Sequence, residues 1–309
     1  MLKAIILAFA LLITTIINGI TGMLGQPSLL QAKPNTISQD QAAPQTSKHS
    51  QKGIKTNLKA LPKNQIGVSK QDNKITIAAG DKGVTLKTIQ SALSIINTLS
   101  LPILQDNINL TPSKDVDIVL FSSKTSYANS LQKAGVDTKL IPALVANSGG
   151  VTVGADIWIP LYALQDKAEL ANVLTHELTH VVFNQIGIGE NLPTWINEGT
   201  AWYDGLAAQA KVNSSETKLD MASLQNEVLA AGKSGKLYPL SANEPDIINA
   251  PYNVEYEDYL AVNYLIKNYG KATFQQFLQE CENQSVNSAF QGNFGMGMKS
   301  FENSVYQSL

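Results

Sequence analysis

Residues Thr175 to His180 read THELTH. On a helix, histidines four apart lie one turn apart on the same face, so His176 and His180 can reach a single ion. Glu177 is turned about 100° around the axis from His176 and can lean over that ion without ligating it. This is the H-E-x-x-H arrangement, in which two imidazoles hold zinc and the glutamate acts as general base on a water. A chance match in a chain of this length is on the order of 1%. The chain has three histidines in all, and two of them sit here, which further weakens the reading of an ordinary helix.

A catalytic zinc takes three protein ligands and leaves a fourth position to water. The remaining histidine, His49, lies in a polar stretch and reads as a solvated linker side chain. The single cysteine, Cys281, cannot form an internal disulfide and reads as a small apolar core residue. The third ligand is therefore expected to be a carboxylate, and the candidate is Glu198 in LPTWINEGTAWYDG, Leu192 to Gly205. Pro193 and Thr194 mark a helix start, and a short loop from Gly187 to Leu192 lets this helix pack antiparallel to the first. The bland alternative for Glu198 is an exposed helical glutamate.

The positioning elements can be read around these residues. KITIAA near Ile75 and VDIVLF, Val116 to Phe121, have strand composition, and Gly150 to Pro160 reads as a further strand. Leu86 to Leu99 carries apolar residues at helical spacing. Asp166 with Glu169 resembles a capping box, and Gly187 supplies a stop, so a central helix is expected between them. Further helices are expected over Asp220 to Gly232, over Pro251 to Gly270, and at the C-terminus after a glycine-rich turn. The fold class is α+β.

The chain opens with an uncharged stretch from Ala4 to Ala32, strongly apolar from Ala4 to Ile17. Residues 1–32 are read as a signal peptide or an N-terminal membrane anchor. No cysteine follows the apolar run, which argues against lipid attachment there. Residues 33–74, rich in Gln, Lys, Ser, Asn and Pro, are read as a disordered spacer, and 75–309 as the folded domain. The expected location is extracellular, secreted or anchored to the outer face of the cell membrane. With 23 Lys+Arg against 25 Asp+Glu, no field of one sign would draw the chain to nucleic acid.

HELTH followed by Glu198 in NEGTAWY resembles the gluzincin metallopeptidases, the group of thermolysin and the aminopeptidase-N-like enzymes. The phrase WINEGTAWY is most similar to the latter and to the peptidase MA-like families. The resemblance implies a small mixed β-sheet packed on a central zinc-binding helix, followed by a mainly helical C-terminal part. It implies one zinc per chain held by His176, His180 and Glu198, with Glu177 activating water to hydrolyse a peptide or protein substrate. It also implies that the strand Gly150 to Pro160 offers its edge to an extended substrate. A monomer is expected. The chain lacks the G-x-M-E-N segment that grips a free amine in aminopeptidase-N-like enzymes, which favours an endopeptidase. Trp202 stands where thermolysin-like enzymes place an aspartate that orients a histidine, leaving that partner unassigned. The oxyanion needs a second donor, and since no histidine remains, a tyrosine of Pro251 to Gly270 is the substitute, with Tyr256 chosen. The competing reading is a catalytically inactive or structural-zinc cell-surface binding protein.

Overall fold

Five short strands make one sheet. They are β1 (Ser69–Asp72), β2 (Ile75–Ala79), β3 (Val116–Phe121), β4 (Val151–Val153) and β5 (Asp156–Pro160). The computed structural model describes residues 69–72, 74–247 and 250–309. Helices in the N-terminal half are α1 (Leu86–Ile95), α2 (Leu101–Ile108), α3 (Lys124–Lys133) and α4 (Ile141–Asn147). Then follow α5 (Lys167–Ile186), α6 (Thr194–Val212), α7 (Ser214–Lys233), α8 (Glu244–Ile247), α9 (Val254–Tyr269), α10 (Lys271–Glu280), α11 (Val286–Phe294) and α12 (Met298–Ser308). The α+β class expected from composition is the one the chain adopts.

The sheet order is β1-β2-β3-β5-β4. β2 and β5 flank β3 in parallel, while β1 and β4 run antiparallel along the two outer edges. Successive side chains on a strand point to opposite faces, and here both faces are covered. Ile77, Ile118, Leu120, Ile157 and Ile159 enter the main core with α1, α2, α5 and the C-terminal helices. Val119, Phe121, Val151 and Trp158 enter a smaller core with Tyr127 and Leu131 of α3 and Leu144 of α4. The alternation decides one matter of function. Val151, opposite Trp158, lies on the α3–α4 face, so Thr152, opposite Ile157, is turned to the face that α5 covers.

Helix α5 is buried almost all round, from Leu170 to Phe183. Asp166 caps it by accepting the Ala168 and Glu169 N–H groups, and Gly187 ends it in a left-handed turn. Glu169 accepts the Gln165 N–H rather than that of the cap residue itself. Helix α6 packs along α5 and, on its other side, against α9. A Cβ on Gly199 would stand 2.4 Å from the Asp258 carbonyl oxygen, so only glycine lets α6 come this close to α9.

The structure departs from the sequence reading in three places. The stretch Gly150 to Pro160 is a hairpin rather than one strand: Gly154, at φ +65°, turns the chain so that Val153 pairs back with Asp156. The helix begun at Leu86 passes Leu99 through a π-helical turn, Ile96–Ser100, and continues as α2. The sheet also takes in Ser69–Asp72, within residues assigned to the spacer. Pairing by main-chain groups requires no apolar side chains, so composition misses such a strand. The segment 1–32, most of the spacer and His49 lie outside the described residues. Among the described residues no helix is long and apolar enough to cross a membrane. Cys281 is buried in the main core.

Candidate metal centre

Helix geometry places His176 and His180 on one face of α5, and the turn after Gly187 brings the first turns of α6 against that face. The two Nε2 atoms are 2.9 Å apart. Glu198 Oε2 lies 3.5 Å from each of them. At that length it makes no hydrogen bond of good geometry, and this oxygen is buried without a partner. His176, His180 and Glu198 form the one cluster among the described residues whose donor atoms could together hold a metal ion.

The donor set fits zinc. Ligands at about 2.0–2.1 Å from a tetrahedral zinc stand roughly 3.3 Å from one another, close to the three spacings seen here. Two imidazoles and a carboxylate are also the ligand chemistry of hydrolytic zinc. An orphaned carboxylate oxygen buried to 3% exposure is costly unless a cation meets it.

His180 Nδ1 is 2.9 Å from the Oδ1 of Asn197, the residue beside Glu198. That contact selects the tautomer in which Nδ1–H donates and the Nε2 lone pair is left for a metal. Asn197 is itself held by its Nδ2, which donates to the Gly189 carbonyl. The edge of the His176 ring meets Trp202 at 6.3 Å between centroids, and the Trp202 indole N–H donates to Glu255. On the neighbouring stripe of α5 the two threonines of THELTH brace the helix. Thr175 pairs with Ser100, and Thr179 donates to Asp204, which also accepts from Asn107.

Burial opposes charge on every group of the cluster. It lowers the pKa of His176 to about 4, against attraction from Glu198. At His180 burial also disfavours the cation, but Glu198 outweighs it and the pKa rises; Glu198, resisting its own burial, is held below the carboxylate range by the same pair. Without a metal these shifts favour a protonated His180 beside an ionised Glu198. A metal must displace that proton, so its affinity rises with pH.

Glu177, next to His176 in the chain, is fully buried, and burial pushes its pKa up to about 7 although His180 and Thr152 pull it down. Thr152 donates to Oε2, while Oε1 has no partner. Gly150 leaves room for that oxygen: a Cβ there would come within 2.5 Å of it. Tyr256 forms no hydrogen bond with these four residues. Its ring is buried against Trp202 and Tyr259, and its hydroxyl donates to the Met221 carbonyl at 3.0 Å. Asn197 could have been noticed in the sequence as an amide next to the candidate carboxylate, Glu198. Thr152 and Gly150 carry no such signal, since their approach to Glu177 depends on the tertiary fold.

An α+β body whose central helix presents two imidazoles to a carboxylate of the next helix is that of a metallopeptidase-like domain. Residues 146–309, just over half of the chain and the part that contains β4 and all of these side chains, match the model of the Peptidase MA superfamily. The chain belongs to that superfamily, which points to a peptidase-like hydrolase acting on peptides or proteins. No curated protein matches the sequence.

Proposed function

We propose that this protein is an exported, zinc-dependent gluzincin peptidase that cleaves within peptide chains. One observation carries the reading: two Nε2 atoms and an unpartnered carboxylate oxygen converge, and the helix that bears both imidazoles carries the buried Glu177 between them. His176, His180 and Glu198 hold the ion. When bound, zinc supplies positive charge that acidifies water and offsets charge on the substrate carbonyl oxygen. Glu177 takes the proton of the attacking water as its oxygen bonds to the carbonyl carbon. The C–N bond then breaks, and Glu177 hands the proton to the leaving nitrogen. A base whose pKa lies near 7 suits both transfers at neutral pH.

Asn197 keeps His180 in the ligating tautomer. β4 is an outer strand beside Glu177, which supports binding of an extended substrate by strand addition and hence internal cleavage. Tyr256 is assigned to the oxyanion; in that role its hydroxyl must leave the Met221 carbonyl when substrate binds. Export rests on the uncharged segment Ala4 to Ala32, with the polar stretch from 33 up to β1 as a tether and the peptidase domain, whose sheet begins at Ser69, after it, secreted or held at the outer face of the cell membrane.

A second reading, a structural zinc in a surface binding protein, draws support from the burial of all four residues at 3% exposure or less. The base separates the two. Zinc content and cleavage of a mixed peptide library are measured for the purified protein and for Glu177→Gln, with and without chelator. The expected result is one zinc per chain in both proteins, internal cleavage by the wild type alone, and its loss on chelation. Equal cleavage by the two proteins would overturn the peptidase reading.

A further inference from the structure

Glu177 can work as a base only if its carboxylate is held still, and what holds it comes from the sheet. The terminal torsion of a glutamate is broad and roughly two-fold, so a buried helix by itself does not fix which oxygen faces the reacting atoms. Thr152 does. Its Oγ1 lies 2.5 Å from Glu177 Oε2 and 3.3 Å from the Glu177 main-chain oxygen. Both side chains are buried, Thr152 to 1% exposure and Glu177 to 0%. The hydroxyl has a single proton, and the nearer acceptor is the carboxylate. One oxygen of Glu177 is thereby tied, and the other, Oε1, is left without a hydrogen-bond partner beside Gly150.

Thr152 is placed for this by the sheet itself. Its main chain is paired with Ile157 of β5, and side-chain alternation turns it away from Val151 and toward α5. A valine would fill the same volume but donate nothing. Serine keeps the donor and gives up a methyl group. The hydroxyl is thus separable from the packing by substitution.

We infer that Thr152 is the positioning residue of the catalytic base: by donating to one Glu177 oxygen it leaves the other as the acceptor of the water's proton. The inference rests on the peptidase reading of Glu177. It also ties the base to β4, so the strand proposed to receive substrate is the strand that sets the carboxylate.

The test uses the full chain with zinc bound, as wild type, Thr152→Val, Thr152→Ser and Glu177→Gln. The readouts are zinc content, kcat and KM on a fluorogenic peptide chosen from the library, and the calorimetric affinity for leucine hydroxamate, whose acidic proton is available to the same carboxylate. Thr152→Val is expected to keep its zinc and its KM, to lose about 10- to 100-fold in kcat, and to bind the hydroxamate about tenfold more weakly. Thr152→Ser is expected to stay within about threefold of wild type in all three. Should the valine variant not fold, Thr152→Ala is compared with serine in the same way. Full kcat and hydroxamate affinity without the hydroxyl, while Glu177→Gln is inactive, overturns the inference and leaves the peptidase reading intact. Serine as poor as valine overturns it too, because packing rather than donation would then be at work. Activity in Glu177→Gln equal to wild type removes the peptidase reading itself.

Discussion

Two groups of buried carboxylates lie on either side of the contact between α6 and α9, and they have opposite fates. Glu198 faces two imidazoles and is held below the usual carboxylate range. At the start of α9, Glu257 and Asp258 are also buried, but Glu257 meets the Tyr252 hydroxyl and Asp258 the negative charges of Glu257 and Glu198. There burial pushes Glu257 up to about 7 and Asp258 well above its ordinary value. Tyr252 donates to Glu257, and Trp202 donates to Glu255. A buried carboxyl with no cationic partner keeps its proton; one that meets imidazoles stays charged and can share a metal with them. Burial is common to both regions, and only convergence with nitrogen donors makes a metal centre.

That contrast can be broken, first, at the ligand. Glu198→Ala is expected to weaken zinc binding by more than about 100-fold, beyond the range of residues that act through a ligand. Glu257→Gln should leave it within about twofold. Competition against a zinc-chelating dye measures both, and comparable losses would erase the distinction between the two regions. A smaller effect is expected one residue away. Asn197→Ala frees the His180 ring to adopt the other tautomer and should cost about 10- to 100-fold in zinc affinity with the fold unchanged.

The smallest effect sharpens the other side. In the metal-free protein, burial raises Glu257 and Asp204 to about 7, whereas unfolded carboxyls titrate near about 4. Between those limits the native state binds protons that the unfolded state has released. Stability from these groups is therefore fully present below pH ~4, falls as pH rises, and levels off above ~7. Each group contributes at most about 1.4 kcal/mol per pH unit to that slope. Urea unfolding at a series of pH values between 5 and 8 should show a shallower decline in Glu257→Gln; an unchanged slope would mean the carboxyl is ionised in the folded protein.

Spacing along one helix made His176, Glu177 and His180 readable without a structure, and a short loop made Glu198 readable as their neighbour. The apolar runs of β3 and β5 were visible because both of their faces are largely buried, and β2 was visible by its alternation. What stayed hidden depends on how elements cross. Asn197 adjoins Glu198, yet its bond to His180 exists only because α6 lies against α5 at that depth. Thr152 reaches Glu177 across the sheet–helix interface, 25 residues away in sequence. β1 pairs through its main chain, and the Gly154 hairpin was read as continuous strand because both of its arms have strand composition. Tyr256 was readable only as a residue type on an expected helix; that its hydroxyl meets the Met221 carbonyl depends on the tertiary fold.

The π-turn Ile96–Ser100 bears on how this fold can change length. Such a turn holds an additional residue compared with regular helix. It ends at Ser100, which meets Thr175, and it sets the rotation of α2 that carries Asn107 to Asp204. Removing that one residue would return the turn to regular helix with α2 nearly in phase, whereas removing a residue from the regular helix on either side would swing α2 by about 100°, separating Asn107 from Asp204 and loosening one of the ties behind the histidine pair. Length changes in the regular helix that flanks the turn are therefore restricted, and loss of activity on such a change would come from a shift of helical phase.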